Sequence, residues 1–494
     1  MAATKPHAPA PGARPGDEPP ALVDAATLRT AGRNPGLPFR IALADGRQLG
    51  MRRLLRVLPG KRLVGEAEID GCRVLAKLFV GRRSAKHWRQ ERTGLAALAA
   101  AAVPTPALLA ATPLAGGGHA LLTAFLDPAE TLAEAWARLP RQSPDDAAAL
   151  AVLAPAVRLL GRLHAAGLVQ EDLHLGNFLH HAGEVLVIDG DALRRVGRGQ
   201  PLPMARACDN LAVLLAQLPS AWDERLSILQ APYGAAAASA FPDPQALRAR
   251  IAHVRAWRLR DFLGKTVRDC TLFAVEHTLT RFTAVLRRQA DALAALLAAP
   301  DAALDSAVVL KDGGTCTVAR IVVDERVLLL KRYNLKSLGH ALNRCWRPSR
   351  AWHSWREAHR LQFLGIPTPT PLALVEERIG PLRRRAWLIS EFCSGPNLLS
   401  HLAADREPPA AEAAAIVSLF AAMHRQRISH GDLKATNLLW HAGQVLLIDL
   451  DAVVQHRSLA AHARAWRRDR TRLLRNWPAD CVLQRWLDAR LPPA

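Results

Sequence analysis

The sequence predicts an α+β protein in which two similar domains follow one another along the chain. The main observation is an internal repeat, because residues 168–193 match residues 428–453 at 13 of 26 positions. Both stretches are preceded by the same order of short apolar strands and amphipathic helices. The 494 residues, half of them apolar, are enough for two or three domains with separate cores. A repeat of about 260 residues is far too long for a solenoid, so it indicates a duplicated domain.

The duplicated unit begins with short strands, of which one carries a lysine, and a helix that carries a glutamate. The paired segments are VLAKLF (74–79) with LLLKRY (328–333), and WRQERTGLAAL (88–98) with WREAHRLQFL (355–364). This alignment pairs Glu91 with Glu357, each followed by Leu at +4 and +7 and then by a Pro-Thr-Pro turn. We therefore expect a strand lysine and a helical glutamate to lie close together in each copy.

Further strands and one long helix complete each copy before the repeated stretch. We expect strands at 119–126 and 386–392, and helices at 150–167 and 413–427. The apolar run 95–111 contains Pro104 and Pro106, so we interpret it as a helix, a turn and a strand and not as a membrane span. No other stretch of the sequence suggests a span.

The predicted domain boundaries follow from the repeat and from composition. Residues 1–36 are expected to be a disordered tail, because the N-terminus is rich in Pro, Ala and Gly and lacks the apolar core of a signal peptide. The first domain is expected at 37–297 and the second at 298–494, with the junction in the amphipathic stretch 288–306.

Charge and cysteine usage limit the functional classes. The net charge of +21 indicates an anionic partner, such as nucleic acid, a phosphate-rich ligand or an acidic membrane surface. An Arg-rich coding bias is an equally good explanation. The seven cysteines are scattered and contain no CxxC pair, which argues against a zinc site or a disulfide framework and favours a reducing compartment, the cytoplasm.

The repeated stretch carries an Asp, an Asn at +5 and a second Asp at +17, with a third Asp two residues later. These positions are Asp172, Asn177, Asp189 and Asp191 in the first copy and Asp432, Asn437, Asp449 and Asp451 in the second. The first Asp can accept a proton from an attacking hydroxyl, and the Asn and the second Asp offer hard oxygen ligands for Mg²⁺. A strand lysine fixed by a glutamate can hold phosphates, so the set suits phosphoryl transfer.

The motif HGDLKATN…LLIDLD resembles the catalytic loop and metal-binding segment of the protein-kinase-like superfamily. Within it, KRYN, WREAHRLQFLGIPTPTPLAL and IDLD resemble the lipopolysaccharide kinases, which phosphorylate heptose or Kdo sugars of the lipopolysaccharide core. The resemblance covers roughly 300–494 well and 40–210 more loosely. It implies two tandem bilobal protein-kinase-like domains, ATP and Mg²⁺.

The resemblance also implies a role for each matched residue. In the second copy Asp432 is the catalytic base, Asn437 and Asp449 are the metal ligands, and Lys331 with Glu357 is the ion pair that positions the phosphates. In the first copy the same roles fall on Asp172, Asn177, Asp189, Lys77 and Glu91. The roles of Asp191 and Asp451 are left open, because each could bind the metal directly or support a residue that does.

The first copy departs from the pattern beside its base, and both copies depart at the Gly-rich loop. Gln170 replaces the usual His and Glu171 adds a negative charge, which puts the activity of the first domain in question. The segments 58–71 and 311–320 lack the full GxGxxG pattern.

A basic stretch with interleaved tryptophans, 331–360, holds eight Lys or Arg and three Trp. Such a stretch suits an anionic membrane or a phosphorylated saccharide, or else is a solvated helix. Nucleic acid is not expected as a partner, since no nucleic-acid-binding motif accompanies the stretch.

These observations predict an ATP-dependent kinase that phosphorylates a sugar hydroxyl of the lipopolysaccharide core. We expect it in the cytoplasm or peripheral on the inner face of the inner membrane. The alternatives are a protein Ser/Thr or small-molecule kinase, and a tandem pseudokinase scaffold at the membrane.

Overall fold

The computed structural model describes residues 20–140, 142–197, 199–237, 240–334, 348–380 and 382–493. The chain forms two compact units, of which the first ends at Arg255 and the second begins at Ala256. Both units combine helices with several β-sheets, as the sequence predicts for a mixed α and β protein.

The first unit begins with a seven-stranded sheet in the order β1-β2-β3-β4-β5-β7-β6. Its strands are β1 (Ala21–Val23), β2 (Phe39–Ala42), β3 (Gln48–Leu58), β4 (Arg62–Ile69), β5 (Cys72–Phe79), β6 (Leu108–Pro113) and β7 (His119–Ala124). Its helices are α1 (Ala25–Thr30) and α2 (Ser84–Ala100). Alternate residues of β4 are buried, as in a sheet with one covered face. The predicted lysine strand and glutamate helix are therefore present as β5 and α2.

The predicted disordered tail is wrong for its last part, which belongs to this sheet. β1 pairs in parallel with β2, and the helix that follows buries Ala25 and Leu28 in the core of the sheet. An apolar face that the sheet can cover outweighs the Pro-rich composition of the flanking sequence. Residues 1–19 of the predicted tail lie outside the described residues.

The rest of the first unit consists of helices and short strands around one apolar core. They are β8 (Ala129–Thr131), α3 (Leu132–Ala137), α4 (Ala147–Ala165), β9 (Leu168–Gln170), β10 (Phe178–His181), β11 (Glu184–Val187), β12 (Leu193–Arg195), α5 (Met204–Leu215) and α6 (Gln230–Gly234). Helix α7 (Pro244–Lys265) begins in the first unit and ends in the second. Helix α4 is long and apolar enough to span a membrane by length and composition alone. Half of it is buried, and Leu153, Leu160 and Leu163 lie in the core.

The second unit has its own seven-stranded sheet, in the order β13-β14-β18-β19-β17-β16-β15. Its strands are β13 (Phe273–His277), β14 (Arg281–Leu286), β15 (Val308–Gly313), β16 (Cys316–Val323), β17 (Arg326–Tyr333), β18 (Pro371–Ile379) and β19 (Leu382–Glu391). Its helices are α8 (Ala294–Ala298), α9 (Ala302–Asp305) and α10 (Arg350–Phe363). Strand β17 carries Lys331, and α10 is the predicted helix of the second copy.

Helices and short strands follow the second sheet, and their order from α11 to α13 is that of α3 to α5 in the first unit. They are α11 (Leu398–His401), α12 (Ala410–Arg425), β20 (Ile428–Ser429), β21 (Leu438–His441), β22 (Gln444–Leu447), β23 (Val454–Gln455), α13 (Leu459–Leu474) and α14 (Val482–Arg490). The repeated loops lie between β9 and β10 in the first unit and between β20 and β21 in the second.

The boundary between the units differs from the predicted one at 297/298. Strands β13 and β14, assigned from sequence to the first domain, belong to the second sheet, in which β14 is antiparallel to β18. Leu293, Leu296 and Leu297 of the expected junction are buried in the core of the second unit. β14 pairs with a strand that lies about ninety residues away in the chain, so local sequence patterns do not reveal this assignment.

Candidate active site

The backbone of the loop that carries Asp432 is hydrogen-bonded to a buried carboxylate of α13. Asp469 is 2% exposed and accepts hydrogen bonds from the backbone N–H groups of His430 (2.6 Å) and Gly431 (3.0 Å). Burial raises the pKa of Asp469 above its usual value. The His430 imidazole contacts the carbonyl of Ile448 at 2.9 Å, so the loop is also joined to the segment that ends at Asp449.

Asn437 and Asp449 line the same cavity because the loop and the following hairpin are hydrogen-bonded to each other. The Asn437 side-chain NH₂ donates to the Asp432 carbonyl (2.9 Å), and the Ile448 N–H donates to the Asn437 carbonyl (3.0 Å). The cavity has a volume of about 420 Å³ and is also lined by Lys331. This is the size of a small-ligand site. Asp449 has φ 59°, a left-handed conformation of the kind that often marks functional positions.

Lys331 is held by two carboxylates that follow β22. Its ammonium lies 2.6 Å from Asp449 Oδ1 and 3.2 Å from Asp451 Oδ1. Burial opposes the charged form of Lys331, but the acidic groups around it, chiefly Tyr333, Asp451 and Asp449, raise its pKa above the usual range. The lysine is thus a fixed cation at the edge of the cavity.

Asp451 is the centre of a hydrogen-bond network around this lysine. Its Oδ1 accepts from Ser354 Oγ (2.6 Å) and Tyr333 OH (2.8 Å), and its Oδ2 pairs with Arg350. Burial would raise the pKa of Asp451, but Lys331 and these donors hold it below its usual value. Asp451, left open between two roles in the sequence, supports Lys331 in the structure.

The predicted Lys331–Glu357 ion pair is not formed. Glu357 pairs instead with Arg360 on the same helix, at 2.8 Å, and Arg360 donates to Gln455 at 2.7 Å. In the structure the residue of α10 that reaches the lysine network is Ser354, one helical turn before Glu357.

The error is a one-turn slip in the alignment of the two helices. Leu98 in α2 and Leu361 in α10 accept equivalent hydrogen bonds, from the N–H groups of Val103 and Ile366. Counting back seven residues from each leucine gives Glu91 and Ser354 as the matching positions. Leu361 lies at +7 from Ser354 and at +4 from Glu357, so it can be matched in either register, and the helical period alone does not decide between them.

In the first unit the predicted ion pair is present. Lys77 Nζ pairs with Glu91 Oε1, and Asp189 Oδ1 lies 3.7 Å from the same ammonium. Burial raises the pKa of Glu91 to about 7, although Lys77 opposes this rise. Burial also opposes ionisation of Asp189, but Lys77 lowers the pKa of Asp189 below its usual value. Glu91, Asp189 and Asp191 have carboxylate oxygens within 4.8 Å of one another, a group that could hold a cation.

The first loop has the same internal hydrogen bonds as the second. The Asn177 NH₂ donates to the Asp172 carbonyl at 2.6 Å. Gln170 donates to the Asp189 carbonyl at 2.7 Å, so it joins the two segments as His430 does. Asn177, Asp189 and Lys77 line a cavity of about 620 Å³. The replacement of His by Gln therefore leaves the loop attached.

Glu171, the additional acid beside Asp172, lies close to a cation. Its carboxylate is 3.5 Å from the Nε of Arg194 in β12, and both side chains are more than a third exposed. An exposed pair of this kind is worth about 0–1 kcal/mol. The geometry therefore shows a partner for the extra charge.

The donor atoms fit a magnesium ion with nucleotide in the second unit. Because the Asn437 amide nitrogen is used by the Asp432 carbonyl, its amide oxygen is the atom suited to a metal, beside the Asp449 carboxylate. Mg²⁺ prefers such oxygen ligands together with substrate phosphates.

In both units the segments that lack GxGxxG form hairpins, β3–β4 and β15–β16, whose strands help to line the cavities.

The described part of the basic stretch 331–360 packs inward. Trp355 is fully buried, and its indole donates to the Thr266 carbonyl at 3.1 Å. Lys331, Arg350 and Arg360 form the ion pairs given above. Residues 335–347, which hold the rest of the stretch, lie outside the described residues.

Two functional positions were missed in the sequence. Asp469 fixes the loop that carries Asp432, and a signal of it in the sequence is that it is the single acid in the arginine-rich run WRRDRTR. Arg472, three residues later, places its Nη2 2.5 Å from Asp432 Oδ1. Neither position is part of the alignment between the two copies, which ends at residue 453. In the first unit Asn210 of α5 takes the place of Asp469, because it donates to the Gln170 carbonyl, and Val213 then takes that of Arg472.

The sequence and the structure were each compared with known proteins. Residues 306–487 match the sequence model of the "Lipopolysaccharide kinase (Kdo/WaaP) family". One similar solved structure is "WaaP in complex with acyl carrier protein", with 23% identity, covering 42% of this chain and 86% of that chain, at a TM-score of 0.30. No curated protein sequence matches the chain. The family match confirms the predicted phosphotransferase and supports a lipopolysaccharide kinase, and the matched range contains Lys331, Asp432, Asn437 and Asp449.

Proposed function

We propose that the protein transfers the γ-phosphoryl group of ATP to a sugar hydroxyl of the lipopolysaccharide core, with the second unit as the catalytic one. The observation that carries this proposal is the convergence of Lys331, Asn437 and Asp449 on one cavity, with Asp432 joined to Asn437 at its edge. These residues all lie within the range that matches the family of lipopolysaccharide kinases.

In this proposal each residue of the site has a separate task. Asp432 accepts the proton of the attacking hydroxyl, and Lys331 holds the α- and β-phosphates. Asn437 and Asp449 hold Mg²⁺, which when bound neutralises charge on the transferred phosphoryl group. Asp451 positions Lys331. Lys331 lies 2.6 Å from Asp449, so the phosphate-holding cation and the metal-holding carboxylate border the same part of the cavity.

We further propose that the chain is a tandem duplication of a kinase-like domain. Supporting this are the two seven-stranded sheets, the repeated loop with its Asn-to-Asp hydrogen bond, and the Pro-Thr-Pro turns. In these turns Thr105 and Thr368 donate to the carbonyls of Val187 and Leu447, both at 2.8 Å. The first unit keeps Lys77, Glu91 and Asp189, so nucleotide binding is expected there too.

The test of the proposed function is phosphate transfer from ATP to purified lipopolysaccharide core oligosaccharide, followed by mass analysis of the product. The full chain should add one phosphoryl group in a Mg²⁺-dependent reaction. Transfer of phosphate to a protein or a small molecule, and not to the core, would support one of the alternative kinase functions. Absence of transfer to any acceptor, with no thermal stabilisation by a non-hydrolysable ATP analogue and Mg²⁺, would favour the scaffold alternative.

We propose that the protein works in the cytoplasm, at the inner face of the inner membrane, where a lipid-linked acceptor would be accessible. The net charge of +21 supports contact with an anionic surface. Fractionation of cells, with release of the protein from membranes by high salt, tests this location.

A further inference from the structure

A row of arginines runs along the exposed face of α13 and ends at the catalytic carboxylate. We call it the α13 basic face, and its members are Arg464, Arg468, Arg472 and Arg475. They recur at intervals of four, four and three residues, so they share one side of the helix. The opposite side buries His462, Ala465, Trp466, Asp469 and Leu473 in the core of the second unit.

The end of this face contacts the reacting group itself. Arg472 Nη2 lies 2.5 Å from Asp432 Oδ1, and Lys434 Nζ lies 3.3 Å from Asp432 Oδ2. Asp469, on the same helix, fixes the backbone of residues 430 and 431, so the position of the helix relative to the base is set by buried hydrogen bonds. An acceptor whose hydroxyl reaches Asp432 must therefore bring its neighbouring atoms against Arg472.

A purely structural role does not explain the face. The Arg472 side chain is 49% exposed and that of Asp432 is 31% exposed, and an exposed pair of this kind adds about 0–1 kcal/mol of stability. Within the described part of the chain, Arg464, Arg468 and Arg475 have no salt-bridge partner. By contrast, Arg470 on another side of the helix pairs with Asp488 of α14 at 2.7 Å.

The first unit does not repeat this face. Its helix α5 corresponds to α13. The side-chain NH₂ of Asn210 donates to the Gln170 carbonyl at 2.7 Å and so fixes the first loop, as Asp469 fixes the second loop. At the positions that match Arg464, Arg468 and Arg472, α5 has Ala205, Asp209 and Val213. The basic face is thus a property of the unit that we propose to be catalytic.

We propose that the α13 basic face binds an anionic group of the acceptor, a phosphate or a carboxylate, one to two helical turns from the hydroxyl that is phosphorylated. This inference rests on the proposed function and names the acceptor subsite. A guanidinium presents a planar fork of donors that matches both anions. When the anion binds Arg472, it draws the guanidinium away from Asp432, which frees the carboxylate to accept the hydroxyl proton.

The experiment compares the full chain with Arg468→Gln, Arg472→Gln and the double variant, and uses Arg467→Gln as the control. Arg467 is exposed on the same helix but lies about 140° around it from Arg472. Core oligosaccharide is supplied native, dephosphorylated, or with its carboxylates reduced. Both the KM for core in the transfer assay and the equilibrium affinity for labelled core are measured.

We expect Arg468→Gln and Arg472→Gln each to raise the KM for native core about 10-fold or more, with the KM for ATP changed less than about 2-fold. Arg467→Gln should match the unchanged protein. The unchanged protein should lose affinity for whichever modified core lacks the recognised anion, and the double variant should no longer distinguish that core from the native one. This difference identifies the anion as phosphate or carboxylate.

An unchanged KM for core in the double variant, or an equal effect of Arg467→Gln, would overturn the inference while the proposed function stands. If the unchanged protein binds core but does not phosphorylate it, and the variants lose this binding, the function is rejected and the subsite stands. Loss of affinity for anionic phosphatidylglycerol vesicles with an unchanged KM for core would assign the face to a membrane and overturn the inference.

Discussion

Lys331 donates to Asp451 at 3.2 Å, so the acid that supports the strand lysine of the second unit comes from the segment after β22 and not from α10. In the first unit the corresponding lysine, Lys77, pairs with Glu91 of α2. Ser354 occupies the helical position of that glutamate and donates to Asp451 instead. The corresponding lysines of the two units are therefore paired with carboxylates from different elements of the fold.

This difference predicts that substitutions of two acidic residues change the KM for ATP by very different amounts. Asp451→Asn should raise the KM for ATP about 10-fold, because Lys331 loses one of its two carboxylates. It should also lower the free energy of unfolding of the second unit by about 1–3 kcal/mol, since Arg350 and Lys331 lose a charged partner. Glu357→Gln, which affects a pair within α10, should change the KM for ATP less than about 2-fold. A larger effect of Glu357→Gln than of Asp451→Asn would mean that α10 supplies the acid when ATP is bound.

The sequence predicted the loop chemistry better than the helix register. Asp432 and Asn437 are five residues apart and hydrogen-bonded to each other, so their relation is local and visible as a constant interval. The slip at Glu357 arose because a helix pattern repeats each turn. Asp469 was not found because its contact to His430 spans 39 residues, and no local pattern encodes it.

The membrane proposal predicts a salt-dependent interaction. The full chain should bind vesicles that contain phosphatidylglycerol and not neutral vesicles, and binding should weaken steeply between about 0.05 and 0.5 M salt because exposed charges are screened. Co-sedimentation measures both. Affinity that does not change with salt, or no binding, would leave the protein without a membrane surface of this kind.

A buried histidine predicts how the stability of the second unit depends on pH. His359 is 2% exposed, its ring packs against Trp355, Phe262 and Phe273, and burial lowers its pKa to about 3. In the unfolded chain this imidazole has its ordinary pKa of 6.5 and takes up its proton there, whereas in the folded chain it does so only near pH 3. Its contribution to stability is therefore present above about pH 6.5 and is lost as the pH falls, by up to about 1.4 kcal/mol for each pH unit.

His359→Phe should reduce this loss, since a phenyl ring takes up no proton. Denaturant unfolding at several pH values between about 7.5 and 4 measures the slope for both proteins. Comparison at the highest pH controls for any change in packing. If the slopes are equal, other groups are responsible for the acid sensitivity of the second unit.

The last prediction asks which unit performs the transfer. Asp432 lies between Arg472 and Lys434, whereas the first unit has Val213 and His174 at these two positions. A general base is worth about 10²–10⁴-fold in rate, so Asp432→Asn should remove most transfer from ATP to core oligosaccharide. Asp172→Asn, the matched change in the first unit, should cost much less.

Both changes are nearly isosteric, and both loops keep the hydrogen bond from Asn437 or Asn177 to the backbone carbonyl, which a side-chain substitution leaves in place. The two variants should therefore have the circular dichroism spectrum of the unchanged protein. Loss of transfer in Asp172→Asn with full transfer in Asp432→Asn would assign catalysis to the first unit. Equal, partial losses in both would mean that each unit transfers phosphate. Full activity in both would remove the role of base from this position of the loop and favour the scaffold alternative.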